Sequence, residues 1–244
     1  MSTIGGRTVA TEAISDFVST YLAAPKPLVF WDTCGLLEYV RFIYRKNNGI
    51  GTLNSMLRIA SKISSGDVYS VASELTMLEW DNNEQKVVNE FKNDLILTEG
   101  YHALAIDTIN CLMGAGKISE PISTYHLDDL LKDIALGIAE NTHFLRYDDV
   151  ANATLVRAAL GEPPAHKKHE IKDTAIWETM LQLCKEINTV VPTIPVRAFY
   201  TVNTDDFADK SVSPNRFNSK LLGEASLLGF ECCLTIDEVN ALIP

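Results

Sequence analysis

Long apolar runs are missing from this 244-residue sequence. Stretches such as Leu28–Trp31 and Leu227–Phe230 fall far short of the roughly 20 residues that a membrane-spanning helix requires. The opening MSTIGGRTVATEA lacks the basic-then-apolar order of a secretory signal. Cysteine is scarce and odd in number, five, at positions 34, 111, 184, 232 and 233, with no C-x-x-C pair. No disulfide framework is expected, and a reducing cytoplasm is the expected location. The five histidines (102, 126, 143, 166 and 169) form neither H-E-x-x-H nor a Cys/His zinc spacing. Positive charge is in deficit: 21 Lys+Arg against 32 Asp+Glu leave a net charge of −11. Such a bulk charge repels phosphates and argues against a general nucleic-acid coat, though not against an enzyme that grips nucleic acid locally. With 46 % apolar residues and only 13 Gly and 9 Pro, disorder and fibrous repeats are excluded. The chain is long enough to bury a core without disulfides or a structural metal.

What the chain does have is an alternation of strand and helix signals. PLVFW (27–31) reads as a short buried strand that stops abruptly at Asp32 and Thr33. Leu36, Leu37, Val40 and Ile43 then recur at helical spacing, and a second helical stretch covers about 53–63. Residues 68–72 read as a strand feeding a long helix. Ser73 is a plausible cap for that helix, and Leu75, Leu78, Val87, Val88, Phe91 and Leu95 form its stripe. Residues 100–160 carry three helical patterns, near 101–113, 126–140 and 149–160, with no convincing strand, and Ser123 or Thr124 could cap the second. An all-helical insertion is expected there. The loop GEPPAHKKHE (161–170) holds the densest positive charge. From Lys172 a helix carries Ile176, Trp177, Met180, Leu181, Cys184 and Ile187; strands at 196–202 and 230–234, a helix at 219–228 and a terminal helix from Ile236 follow. This alternation implies right-handed crossovers and a parallel sheet. No linker divides the chain, so a single domain over 1–244 with the insertion at 100–160 is expected.

Ligands of parallel α/β sheets bind at the carboxyl ends of the strands, and carboxylates recur at those places here. Asp32 ends the first strand, Glu79 lies near the start of the long helix, Asp173 opens the helix after the basic loop, and Asn203, Asp205 and Asp206 follow the strand at 196–202. Each has a plain structural reading. Asp32 and Asp173 suit helix caps, Glu79 suits a solvated helix face, and Asp205 and Asp206 suit a turn. Glu178, one turn into its helix, could join the cluster or be structural. Trp31 and Trp177 sit in apolar surroundings and read as core, and Arg41, Arg45 and Lys46 suit a helix end.

Four segments in order, PLVFWDT (27–33), VASELTMLEW (71–80), EIKDTAIWETML (170–181) and FYTVNTDDF (199–207), resemble the PIN-domain nuclease family, in a bacterial branch with a long helical middle. The resemblance implies a three-layer α/β/α fold around a central parallel sheet. It implies that Asp32, Glu79, Asp173 and Asp206 are catalytic residues and, with Asn203, hold Mg²⁺ or Mn²⁺. Residues 100–160 depart from the minimal pattern. Clustered carboxylates repel, and hard divalent cations with oxygen ligands relieve that repulsion. Paired metals can activate a water and stabilise the leaving oxygen of a phosphodiester. The expected activity is therefore a metal-dependent endonuclease, on RNA before DNA. His166, Lys167, Lys168 and His169 are the candidate phosphate contacts. The other readings are an inactive PIN-like binding or assembly module, and a Mg²⁺ phosphohydrolase with Asp32 as nucleophile. The last is weakened because D-T-C-G lacks a second Asp two residues on. No membrane partner is expected; a homo-oligomer or partner protein is left open.

Overall fold

The structure, a computed structural model, describes residues 2–45, 48–166, 171–189 and 195–244. In chain order it begins with the hairpin β1 (Ser2–Ile4) and β2 (Arg7–Val9), then β3 (Thr11–Glu12), α1 (Ile14–Ala23), β4 (Leu28–Trp31), α2 (Thr33–Arg41), α3 (Ile50–Ser64), β5 (Tyr69–Ser73) and α4 (Leu75–Met113). Next come α5 (Leu127–Glu140), β6 (Thr142–Leu145), α6 (Ala151–Ala159), α7 (Ile171–Asn188), β7 (Arg197–Tyr200) and α8 (Thr204–Phe207). The hairpin β8 (Ala208–Asp209) and β9 (Arg216–Phe217), α9 (Ser219–Leu228), β10 (Glu231–Cys233) and α10 (Ile236–Leu242) complete it.

Six strands form one parallel sheet in the order β10-β7-β4-β5-β6-β3. The sheet is buried on both faces, as all-parallel sheets must be. Successive residues of β4 therefore serve opposite cores. Val29 and Trp31 pack with α2, α3, α5 and α10, while Leu28 and Phe30 pack with α1, α7 and α9. This is the three-layer α/β/α arrangement. Trp31 and Trp177 are core residues, each with 0 % exposure. The described cysteines are all free, and among the described residues no helix is long and apolar enough to cross a membrane.

The helical middle region is present, with one correction: it is not all helical. Thr142–Leu145 forms β6, paired with β5 and β3 inside the main sheet. Only Phe144 and Leu145 of that strand are buried, so it is too short to show a period of its own. The helical patterns before and after residue 100 belong to a single helix, α4, of 39 residues. Gly100 lowers helix propensity but supplies no stop, and the true stop is Gly114, left-handed at φ 62°. Ser73 lies just ahead of that helix, accepting from the Leu75 amide at 3.4 Å. Leu78 faces solvent rather than the core. Neither Ser123 nor Thr124 caps α5; His126 occupies that place in a left-handed conformation.

Candidate active site

β4 ends at Asp32, whose extended backbone (φ −79°, ψ 153°) places it at the cap position of α2, yet its side chain makes no capping hydrogen bond. It turns instead toward β7, where the Thr201 hydroxyl donates to Asp32 Oδ2 at 2.5 Å. α2 can start this close to β7 because Gly35 has no side chain: a Cβ there would lie 2.8 Å from the Tyr200 ring. Asp32 is 1 % exposed. Burial first, and then the negative charge of Glu79, push its pKa from 3.8 up to about 7 against the pull of the Thr201 hydrogen bond.

Glu79, one turn into α4, is held from two sides. The Thr33 hydroxyl donates to Oε2 at 2.6 Å, and Lys172 Nζ lies 3.7 Å from Oε1. Lys172 precedes Asp173 in the first turn of α7. Asn203 Nδ2 spans Asp173 Oδ2 at 3.3 Å and Asp206 Oδ2 at 3.1 Å, and its own amide N–H donates to Thr201 Oγ1 at 2.9 Å. Two groups of contacts result: Asp32, Thr201, Asn203, Asp173 and Asp206 in one, and Glu79, Thr33 and Lys172 in the other. They are joined by the chain at Asp32–Thr33 and Lys172–Asp173 and by the Glu79 charge acting on Asp32. The charges of Asp32, Asp173 and Glu79 also act together on Cys34, whose thiol pKa burial already raises.

Asp32, Glu79, Asp173, Asn203 and Asp206 are therefore brought to one edge of the sheet. Asp205 and Glu178 are not. Asp205 points outward and pairs with Lys210, whereas Asp206 is 6 % exposed and its Oδ1 is buried without a hydrogen-bond partner among the described residues. Glu178 is bonded to Arg157 instead. His166 has a buried Nδ1 without a hydrogen-bond partner among the described residues, and Lys167, Lys168 and His169 lie outside them. The sequence reading missed Thr33, Thr201 and Lys172, although each adjoins a quoted motif: D-T at 32–33, T-V-N at 201–203 and K-D at 172–173.

The donor set, hard oxygens with mutual repulsion and one orphaned carboxylate oxygen, suits a divalent cation. Among the described residues no three His, Cys, Asp or Glu side chains already stand close enough to grip one ion. The carboxylates are instead kept in hydrogen-bonded pairs by Thr33, Thr201, Asn203 and Lys172, which suits an ion that keeps several of its waters. A cavity of about 440 Å³ near the carboxyl ends of β7 and β10 is lined by Glu38, Arg45, Tyr200, Val202, Thr235 and Asp237, and none of the acidic cluster lines it.

A parallel α/β sheet with carboxylates gathered at its carboxyl edge defines a broad class of ligand-binding and catalytic domains. Residues 29–207 match the family model of the PIN domain, a span that contains every member of the acidic cluster. The chain belongs to the PIN-domain family of nucleases. Neither the curated proteins nor the solved structures contain a match to it.

The contrast between the two neighbouring aspartates gives a direct test. Asp205→Asn should leave cleavage within about twofold of wild type, since Asp205 is turned outward into an exposed pair with Lys210. Asp206→Asn should lower cleavage by on the order of a hundredfold, the scale of one lost preorganised electrostatic contact. Parallel rate measurements on the two variants check this; equal effects would contradict the assignment.

Proposed function

We propose that this PIN domain is a divalent-metal-dependent endonuclease that hydrolyses phosphodiester bonds, with RNA as the first substrate and single-stranded or structured DNA as the second. The observation that carries this reading is the gathering of four carboxylates, held by Thr201, Asn203, Thr33 and Lys172, at the sheet edge where the buried Asp32 ends β4. A purely structural role gives no reason to collect repelling charges at one sheet edge. On this reading Asp32, Glu79, Asp173 and Asp206 hold Mg²⁺ or Mn²⁺, and Asn203 orients Asp173 and Asp206. The bound ion supplies positive charge to the phosphodiester and lowers the pKa of an attacking water. Thr201 and Thr33 fix the carboxylates of Asp32 and Glu79, so little reorganisation remains when substrate arrives. Lys172, half exposed beside Glu79, offers a positive neighbour to a phosphate.

The competing reading, a catalytically inactive PIN-like assembly module, draws on the net charge of −11. Incubating the purified protein with labelled RNA and DNA in Mg²⁺, Mn²⁺ or EDTA separates the two. Internal cleavage of RNA in either metal and none in EDTA is expected; no cleavage under any condition would favour the module. His166, Lys167, Lys168 and His169 are proposed to hold the substrate backbone. Replacing Lys167 and Lys168 by Ala should weaken binding and reduce the log–log salt slope by about 0.7 per lost contact with a single strand. An unchanged slope would make the loop ordinary surface.

A further inference from the structure

Beyond Leu95, α4 leaves the body of the protein. Phe91 and Leu95 still pack against Leu131 of α5, but the remaining part, to Met113, projects as an arm. One side of the arm is braced by the chain that returns along it. Asn110 exchanges two hydrogen bonds with the Lys117 backbone (2.7 and 2.6 Å), Ser119 meets His102 at 3.3 Å, and the Ser123 amide donates to Glu99 at 2.5 Å. At about 100° per residue, the side facing away from this brace is the row Leu97, Tyr101, Leu104, Ala105, Thr108 and Leu112. Its large members are 59 %, 73 %, 64 % and 79 % exposed for Leu97, Tyr101, Leu104 and Leu112. A continuous apolar row of this kind left in water marks a contact surface.

We propose that a second copy of this chain covers the row, the two arms packing antiparallel about a twofold axis near Leu104 and Ala105. Three observations select this occupant. The row is symmetric about that point: Leu97 and Leu112 are equally distant from it in sequence, as are Tyr101 and Thr108. Turning a copy about the point sets the large Tyr101 opposite the small Thr108 and an end leucine against the other end, as an isologous interface requires. The row also carries no charge in a chain of net charge −11, so copies meet there without opposing like charges, and a charged partner would find nothing to pair with. Finally, Leu97, Tyr101, Leu104 and Leu112 together present on the order of 400–500 Å² of apolar side-chain surface. That is the right order for the apolar centre of a standard interface of about 800 Å² per partner. The proposal does not depend on the nuclease reading, since the arm lies outside the acidic cluster.

Sedimentation velocity over a rising concentration series tests it. Wild type should approach twice the 27.0 kDa chain mass. Leu104→Asp, which places two carboxylates beside the axis, should stay at the single-chain mass with an unchanged melting temperature. If that variant folds poorly, Leu112→Lys at the most exposed end of the row carries the same test. A wild type that remains monomeric throughout overturns the proposal, as does dimerisation that persists in both folded variants. Monomeric wild type that floats with anionic lipid vesicles would assign the row to a lipid surface instead.

Discussion

Asp32→Asn is expected to reduce cleavage by at least on the order of a hundred- to a thousandfold while making the metal-free protein more stable. The amide keeps the shape of the side chain and can still accept from Thr201, but it lacks the negative charge that a divalent cation needs. The gain in stability has a defined pH dependence. Burial and the Glu79 charge raise the Asp32 pKa from 3.8 to about 7 in the folded state. Folding therefore favours the protonated acid. The contribution of this group is fully present below its unfolded pKa of 3.8 and is lost as pH rises through about 7. Asparagine has no such loss. In EDTA the stability advantage of Asp32→Asn should grow between about pH 4 and pH 7 and then level off at about 2–4 kcal/mol. At this chain length each kcal/mol shifts the melting temperature by about 2–4 °C. Melting curves across that pH range, paired with a cleavage assay in Mn²⁺, check both halves. Wild-type cleavage by Asp32→Asn would reduce Asp32 to a helix cap, for which asparagine serves as well as aspartate.

Arg157→Ala should be among the most damaging single substitutions for stability, by about 3–5 kcal/mol or on the order of 10 °C in melting temperature. Arg157 is 7 % exposed, and its guanidinium donates to Glu178 at 2.5 Å, to the Pro163 carbonyl at 2.7 Å and to both oxygens of Glu224 at 2.9 and 3.0 Å. The Trp177 indole also donates to Glu224, at 2.8 Å. This network ties α6, α9 and the turn at 163 onto α7, the helix whose first turn carries Asp173. Removing the cation leaves two carboxylates facing each other, one of them buried, and that uncompensated charge dominates the cost. Glu178→Gln should be milder, because the amide oxygen still accepts from Arg157, and it should leave the cleavage rate near wild type. A thermal melt of each variant together with its cleavage rate distinguishes this structural role from membership in the acidic cluster.

Much of the parallel sheet was legible because its strands are short apolar runs ended by polar residues. β4 stops at Asp32 and β7 at Thr201 within a residue or two of the positions read from sequence, and α9 and α10 begin where the pattern places them. The acidic residues were legible for the same reason: a strand end followed by a helix is a local event, written in a handful of neighbouring residues. Which carboxylates turn inward was not. Asp205 and Asp206 share one turn and one composition, and they are separated only by Lys210 on one side and Asn203 on the other. Glu178 is diverted by Arg157, 21 positions away.

By itself the sequence determined most of the alternation of strands and helices, the buried apolar strand that ends at Asp32, and the order in which acidic residues meet the sheet edge. Hydrophobic period and chain punctuation act over windows of a few residues, and these features need nothing wider. Only the tertiary structure decided that Thr142–Leu145 joins the sheet, that Thr33 and Thr201 hold Glu79 and Asp32, and that the far half of α4 stands clear of the body. Each of these depends on which distant element supplies a partner. β6 exists because β5 offers it hydrogen bonds, Asp32 is held toward β7 because the Thr201 hydroxyl donates to it at 2.5 Å, and the arm beyond Leu95 is exposed because no other described element of the chain extends far enough to cover its apolar row.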